Sequence, residues 1–131
     1  MSEFKSTLIL QTLVFDKIEF NRSGLKNDNS IQYAIQVQVG NNGEDDFKVT
    51  LILRGDKKDE YQFEISLSGF FKIDQKDSLT DIKKQDLINK NAVAIMMPYL
   101  RSELTLLTAQ PNTDSIVLPT FNINKMLDKN N

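Results

Sequence analysis

The chain has 131 residues, a formal net charge of −2, and neither cysteine nor histidine. That length suits one domain with a real hydrophobic core. The missing residue types exclude disulfides, thiolate nucleophiles, zinc sites of the usual ligands and histidine general bases. Lysine and arginine are spread along the chain rather than concentrated, which argues against a nucleic-acid-binding surface.

No apolar run approaches the roughly 18 residues of a membrane span, so no membrane insertion is expected. The N-terminal stretch MSEFKSTLILQTLVFDK carries an acid at Glu3 and no small-residue cleavage site. It does not read as a signal peptide, and a cytoplasmic location is expected. Residues 8–20 are rich in β-branched, aromatic and leucine side chains with apolar residues at both parities. They predict a long strand that is either covered on both sides or bent midway. Residues 21–30, NRSGLKNDNS, form a polar loop.

The clearest alternation follows. Ile31, Tyr33, Ile35, Val37 and Val39 alternate with Gln32, Ala34, Gln36 and Gln38; Phe47, Val49, Leu51 and Leu53 alternate with Lys48, Thr50, Ile52 and Arg54; Tyr61, Phe63, Ile65 and Leu67 alternate with Gln62, Glu64, Ser66 and Ser68. The polar turns GNNGEDD and GDKKDE separate these three strands. The pattern predicts an antiparallel meander with one wet face and one face that needs cover. Phe70 falls on the wet face by parity, an unusual place for a large aromatic.

Residues 72–90 are charged and predict a loop and a short helix over 80–89 with Thr80 as N-cap. Residues 92–109, AVAIMMPYLRSELTLLTA, predict the long helix that covers the sheet. At about 100° per residue, Val93, Met96, Met97, Leu100, Leu104 and Leu107 share one face. Ile95, Tyr99 and Leu106 form a second apolar face, and Arg101, Thr105 and Thr108 form a narrow polar stripe. Two apolar faces suit a helix buried between layers or subunits. Pro98 implies either a bend or a later helix start. Residues 110–120 are extended, and Asn122 or Asn124 could cap a short last helix through Met126 and Leu127. No nucleophile–base pair, phosphate loop, carboxylate dyad or ordered metal-ligand spacing is present, so neither an enzyme nor a cofactor is expected. Glu44, Asp45 and Asp46 read as a solvated turn.

Several segments resemble the SecB protein-export chaperones. Met97-Pro98-Tyr99-Leu100-Arg101-Ser102-Glu103 resembles the family's F-P-Y-A-R-E helix segment, and Gly69-Phe70-Phe71-Lys72-Ile73 resembles its G-I-F-x-I strand end. Leu118-Pro119, followed by Ile123-Asn124-Lys125-Met126-Leu127, resembles its L-A-P-V-N-F-D-A-L-F tail, and residues 14–20 resemble its first strand. The likeness spans residues 8–127 within a single domain, 1–131. It implies an α+β fold: a four-stranded antiparallel sheet covered on one face by a long helix. It also implies a homotetramer, a dimer of dimers, that binds unfolded or nascent polypeptides without ATP. The expected client-binding residues are Phe70, Phe71, Leu118, Phe121, Ile123 and Met126. The expected oligomer interface comprises Met96, Leu100, Leu104, Leu106, Phe63 and Ile65. Family members that serve secretion dock the SecA motor through acids that align here with Lys17 and Asn21; only Glu64 keeps a matching acid. The acidic tail is replaced by a short KNN ending. The resemblance thus supports the chaperone fold over a SecA partner, and it includes relatives that protect an antitoxin or are of phage type.

Overall fold

Strand alternation dictates the architecture. The computed structural model describes residues 7–74 and 80–119. Four antiparallel strands, β1 (Thr7–Arg22), β2 (Ile31–Asn41), β3 (Asp46–Lys57) and β4 (Tyr61–Asp74), form one sheet in the order β1-β4-β3-β2. Phe47, Val49, Leu51 and Leu53 on β3, and Phe63, Ile65, Leu67, Phe71 and Ile73 on β4, form the buried face. Each such side chain contributes on the order of 1.5–3 kcal/mol.

β1 resolves the mixed parity of residues 8–20. Its register against β4 shifts between Leu10 and Thr12, and again between Phe15 and Lys17. Each shift is a β-bulge, one extra residue that reverses which side chains face the core. Leu8 and Leu10, then Leu13 and Phe15, then Ile18 and Phe20 therefore all lie opposite core-facing β4 residues. The strand bends rather than being covered on both sides. The second bulge also turns the Asp16 carboxylate towards Ser68, whose hydroxyl donates to it.

Because β1 and β2 occupy opposite edges, residues 23–30 must cross the end of the sheet. They pass over the β3–β4 turn, where the Ser23 and Gly24 N–H groups donate to the Glu60 carbonyl at 2.9 and 3.1 Å. A Cβ at Gly24 would stand 2.1 Å from the Asp59 carbonyl oxygen, so only glycine permits this approach. The Asn27 N–H donates to Glu60 Oε1 at 2.8 Å, and the Asn27 and Asn29 amides donate to the Lys58 carbonyl. Lys57 Nζ lies 2.8 Å from the Glu60 carboxylate and Arg22 lies 4.0 Å from it. Glu60, read from sequence as one charge of a polar turn, is fully buried.

On the covered face, α1 (Asp81–Leu87) begins at Thr80, whose hydroxyl accepts from the Lys83 N–H. A π-helical turn, Ile88–Ala92, joins α1 to α2 (Val93–Thr108) without a break. The two helices expected from sequence are thus continuous, since nothing between Asn89 and Ala92 forces an exit from helical geometry. Helical residues flank Pro98 on both sides, which excludes a later helix start. Gly69 lets α2 and the Phe71 ring pack closely over β4: a Cβ there would lie 2.7 Å from the Phe71 ring and 3.0 Å from Met96 Sδ.

Burial on its own would push the Glu60 carboxyl up, but Lys57, the Asn27 N–H and Arg22 outweigh it and hold the group below its ordinary value. Stability from a lowered carboxyl is present above its unfolded-state value and lost as pH falls through the folded one. Glu60→Gln should therefore melt lower than the parent at neutral pH and lose less of its melting temperature on acidification, as followed by circular dichroism.

Candidate functional site

The helix α2 has an inner and an outer side. Val93, Met96, Met97, Leu100 and Leu104 are buried against the sheet. The polar stripe of Thr105 and Thr108 receives the returning chain: Thr105 Oγ1 donates to the Ile116 carbonyl, and Thr108 Oγ1 accepts from the Ile116 N–H, both at 2.8 Å. These bonds seat Ile116 and Leu118 in the core. Arg101, on the same flank, has a buried Nε with no hydrogen-bond partner among the described residues. The outer side presents Tyr99, 49% exposed, and Leu106, 67% exposed, beside a half-buried Ile95. Ile18, opposite Ile65 on the same face of the sheet, is also largely exposed at the β1 edge.

The other face of the sheet is mostly polar. Phe70 is half-buried there, directly opposite Lys48, whose ammonium lies 5.6 Å from the ring centroid. This cation–π contact explains how an aromatic is tolerated on a wet face. Ile9 and Val14 are exposed on the same face. A hollow of about 400 Å³ also lies there, lined mainly by polar side chains including Glu19, Gln32, Arg54 and Gln62. Lys17 lies 3.1 Å from Glu64, and Arg54 Nε lies 2.8 Å from it. Arg54 and then Lys17 hold the Glu64 carboxyl below its ordinary value. Lys17 also meets Glu19 at 3.5 Å, and the Asn21 amide donates to Glu19 at 3.1 Å. Glu64 and Glu19 are thereby paired with cationic or amide neighbours, whereas Asp56, which lines the same hollow, is exposed with no ion pair among the described residues. Among the described residues no group of three or more carboxylates is placed to hold a metal ion.

The expected site residues separate clearly. Phe71, 1% exposed, and Leu118, 2% exposed, are buried in the core of the described chain rather than presented on its surface. Phe71 continues the inward parity of Phe63 and Ile65, and Leu118 is drawn inward by the Ile116 hydrogen bonds. Phe121, Ile123 and Met126, with the short helix expected after Asn122 or Asn124, lie outside the described residues. Of the expected interface set, Met96, Leu100, Leu104, Phe63 and Ile65 are buried within the chain's own core, so Leu106 alone faces outward. Tyr99 is the exposed position that a two-faced reading of the helix makes legible but that the expected interface left out.

No family model matches the chain, and no curated protein matches it. Among solved structures, the chain is similar to the SecB-like chaperone of Mycobacterium tuberculosis in complex with a peptide from the HigA1 antitoxin. That match has a TM-score of 0.67 at 12% identity, over 88% of this chain and 91% of the other. The fold is SecB-like. A protein of unknown function from Streptococcus agalactiae is also similar, with a TM-score of 0.52 at 12% identity over 88% of this chain and 98% of that one. The SecB-like architecture, a four-stranded antiparallel sheet with one long C-terminal helix, is the α+β fold that the resemblance implies, and three of its strands are those of the alternation in residues 31–67. Among the described residues no helix is long and apolar enough to cross a membrane.

The two sides of α2 should respond differently to truncation. Leu104→Ala, which opens a core cavity, should cost about 2–5 kcal/mol of unfolding free energy. Leu106→Ala should stay within about 0.5 kcal/mol. Urea denaturation of the two variants at low protein concentration checks this.

Proposed function

We propose that this chain is an ATP-independent, SecB-like cytoplasmic chaperone that binds unfolded or nascent polypeptides. The observation that carries the reading is its match, over nearly the whole chain, to a SecB-like chaperone solved with a peptide bound. The physical support is the apolar surface left uncovered at Tyr99, Leu106, Ile18, Ile9 and Val14. Such surface on a folded chain marks a place of interaction.

In this proposal the outer side of α2, with Leu106 and Tyr99, packs on a second copy, and the assembly is a homotetramer built as a dimer of dimers. Phe70 belongs to the client-binding surface together with Phe121, Ile123 and Met126. The chaperone needs no cofactor and performs no catalysis. A narrower reading, a SecB-fold module dedicated to one partner such as an antitoxin, has its own support: the similar chaperone is bound to an antitoxin segment. The cluster of Lys17, Glu64 and Arg54 fits that reading too, because both cations sit against the one acid that matches an export SecB's motor contacts.

The purified protein should suppress light scattering by an unfolded apolar protein without nucleotide, and Phe70→Ser with Met126→Ser should weaken suppression while leaving the melting temperature nearly unchanged. A parent protein that protects neither general unfolded clients nor an antitoxin would contradict the proposal. Leu106→Asp should give folded but smaller particles in light scattering. SecA titrated onto the protein should bind far more weakly than it binds an export SecB; tight, salt-sensitive association would restore a role in secretion.

A further inference from the structure

The turn between β2 and β3 holds the only Asn-Gly dipeptide of the sequence, Asn42-Gly43. The pair suits a tight hairpin, because both residues tolerate unusual backbone angles. It also leaves the asparagine side chain open to attack by the next backbone nitrogen, since glycine puts no Cβ in the way. Asn42 is exposed, and among the described residues no hydrogen bond holds its side-chain amide. Asn29, which precedes the small Ser30 in the crossover, is placed differently. Its amide donates to the Lys58 carbonyl at 2.8 Å, which ties the side chain to a neighbouring turn.

The Gly43 N–H donates to Asn41 Oδ1 at 3.0 Å, an Asx-turn that occupies the hydrogen of the attacking nitrogen. The same turn anchors α1. Lys84, buried on α1, places Nζ 3.1 Å from the Asp45 carboxylate and 3.4 Å from the Glu44 carbonyl. The Ile73 N–H donates to the Asp45 carbonyl at 2.8 Å, and the Asn42 N–H donates to the Asp46 carbonyl at 2.9 Å. Lys84 is the one fully buried side chain of α1. The seating of that helix therefore depends on where the turn holds Glu44 and Asp45.

We infer that Asn42 is a self-modification site, deamidated by the Gly43 nitrogen at a rate governed by the Asn41 contact, and that the product loosens the seat of α1. The Gly43 N–H loses its proton to solvent base, and the nitrogen bonds to Cγ of Asn42. The C–N bond of the side-chain amide breaks, and its nitrogen leaves as ammonia. The cyclic imide that results takes up water at either carbonyl, giving aspartate or isoaspartate. The net change converts amide and water to carboxylate and ammonium, with no oxidant, reductant or cofactor consumed. Either product adds a negative charge beside Glu44, Asp45 and Asp46, in a chain whose net charge is already −2. Isoaspartate also routes the backbone through the former side chain. The turn is then longer by a methylene, which displaces Glu44 and Asp45 from Lys84. The reaction is independent of what the chain binds.

The full chain is incubated folded in mildly alkaline buffer, and peptide mapping by mass spectrometry follows each asparagine. Conversion should appear at Asn42 before Asn21, Asn27, Asn29 or Asn112. Asn41→Ala frees the Gly43 N–H and should speed conversion about fivefold, the worth of one net hydrogen bond expressed as a rate. The parent unfolded in urea makes the same comparison without a substitution and should gain about the same factor. Asn42→Gln should give no product at that position. The converted protein, separated by anion exchange, should show faster amide exchange at Lys84 and Ile73, whose N–H groups bond to Thr80 and Asp45, but not at Leu100 in the middle of α2. Earlier conversion at Asn29, or none at Asn42, overturns the site. Equal rates in the folded parent, in Asn41→Ala and in urea overturn the control by Asn41. Unchanged exchange at Lys84 and Ile73 overturns the loosening of α1.

Discussion

A single helix covering a single face of a four-stranded sheet is the constraint on which the molecule depends. The alternation in β2, β3 and β4 puts the large apolar side chains on one face and glutamine, serine, threonine and charge on the other. Met96, Leu100 and Leu104 of α2 close the first face, and Gly69 makes room for that contact. The remaining apolar surface falls on the outer side of α2, at the edges and polar face of the sheet, and at Leu25, Ile82 and Val117 in the crossover, on α1 and after α2.

Keeping the sheet one-sided has local consequences. β1 needs two bulges to present Leu8, Leu10, Leu13, Phe15 and Phe20 to the same core, and the second places Asp16 over the polar face. The crossover from β1 to β2 needs an anchor, which Glu60 supplies through its carbonyl and its buried carboxylate. Lys26 and Asp114, 2.8 Å apart, tie the same crossover to the segment that follows α2. The helix end, the crossover and the β3–β4 turn are thus linked by polar contacts at one end of the sheet, while among the described residues no strand lies beyond β2.

Much of this was legible in the sequence. Period-two alternation located β2, β3 and β4, and the two apolar faces of residues 92–109 separated Leu104 from Leu106 before any coordinates. Other features had no local signal. A bulge looks like mixed parity in sequence, and the two readings of residues 8–20 differ only in how β1 pairs with β4. Glu60 sits in a charged turn, and its burial comes from a loop more than thirty residues upstream. Leu118 reads as exposed chain between Pro111 and Pro119, but the hydroxyls of Thr105 and Thr108 fold the nearby Ile116 back onto the helix. Phe71 could have been assigned to the core, because its parity matches Phe63 and Ile65; resemblance of the strand end to the chaperone motif pointed to the surface instead.

The most direct test of the central claim is fluorescence anisotropy with one labelled protein presented in two forms, native and permanently unfolded by reduction and carboxymethylation, without nucleotide. Saturable binding of the unfolded form with little or none of the native form is the result the account predicts. Equal binding of both forms, or binding of neither, would contradict it.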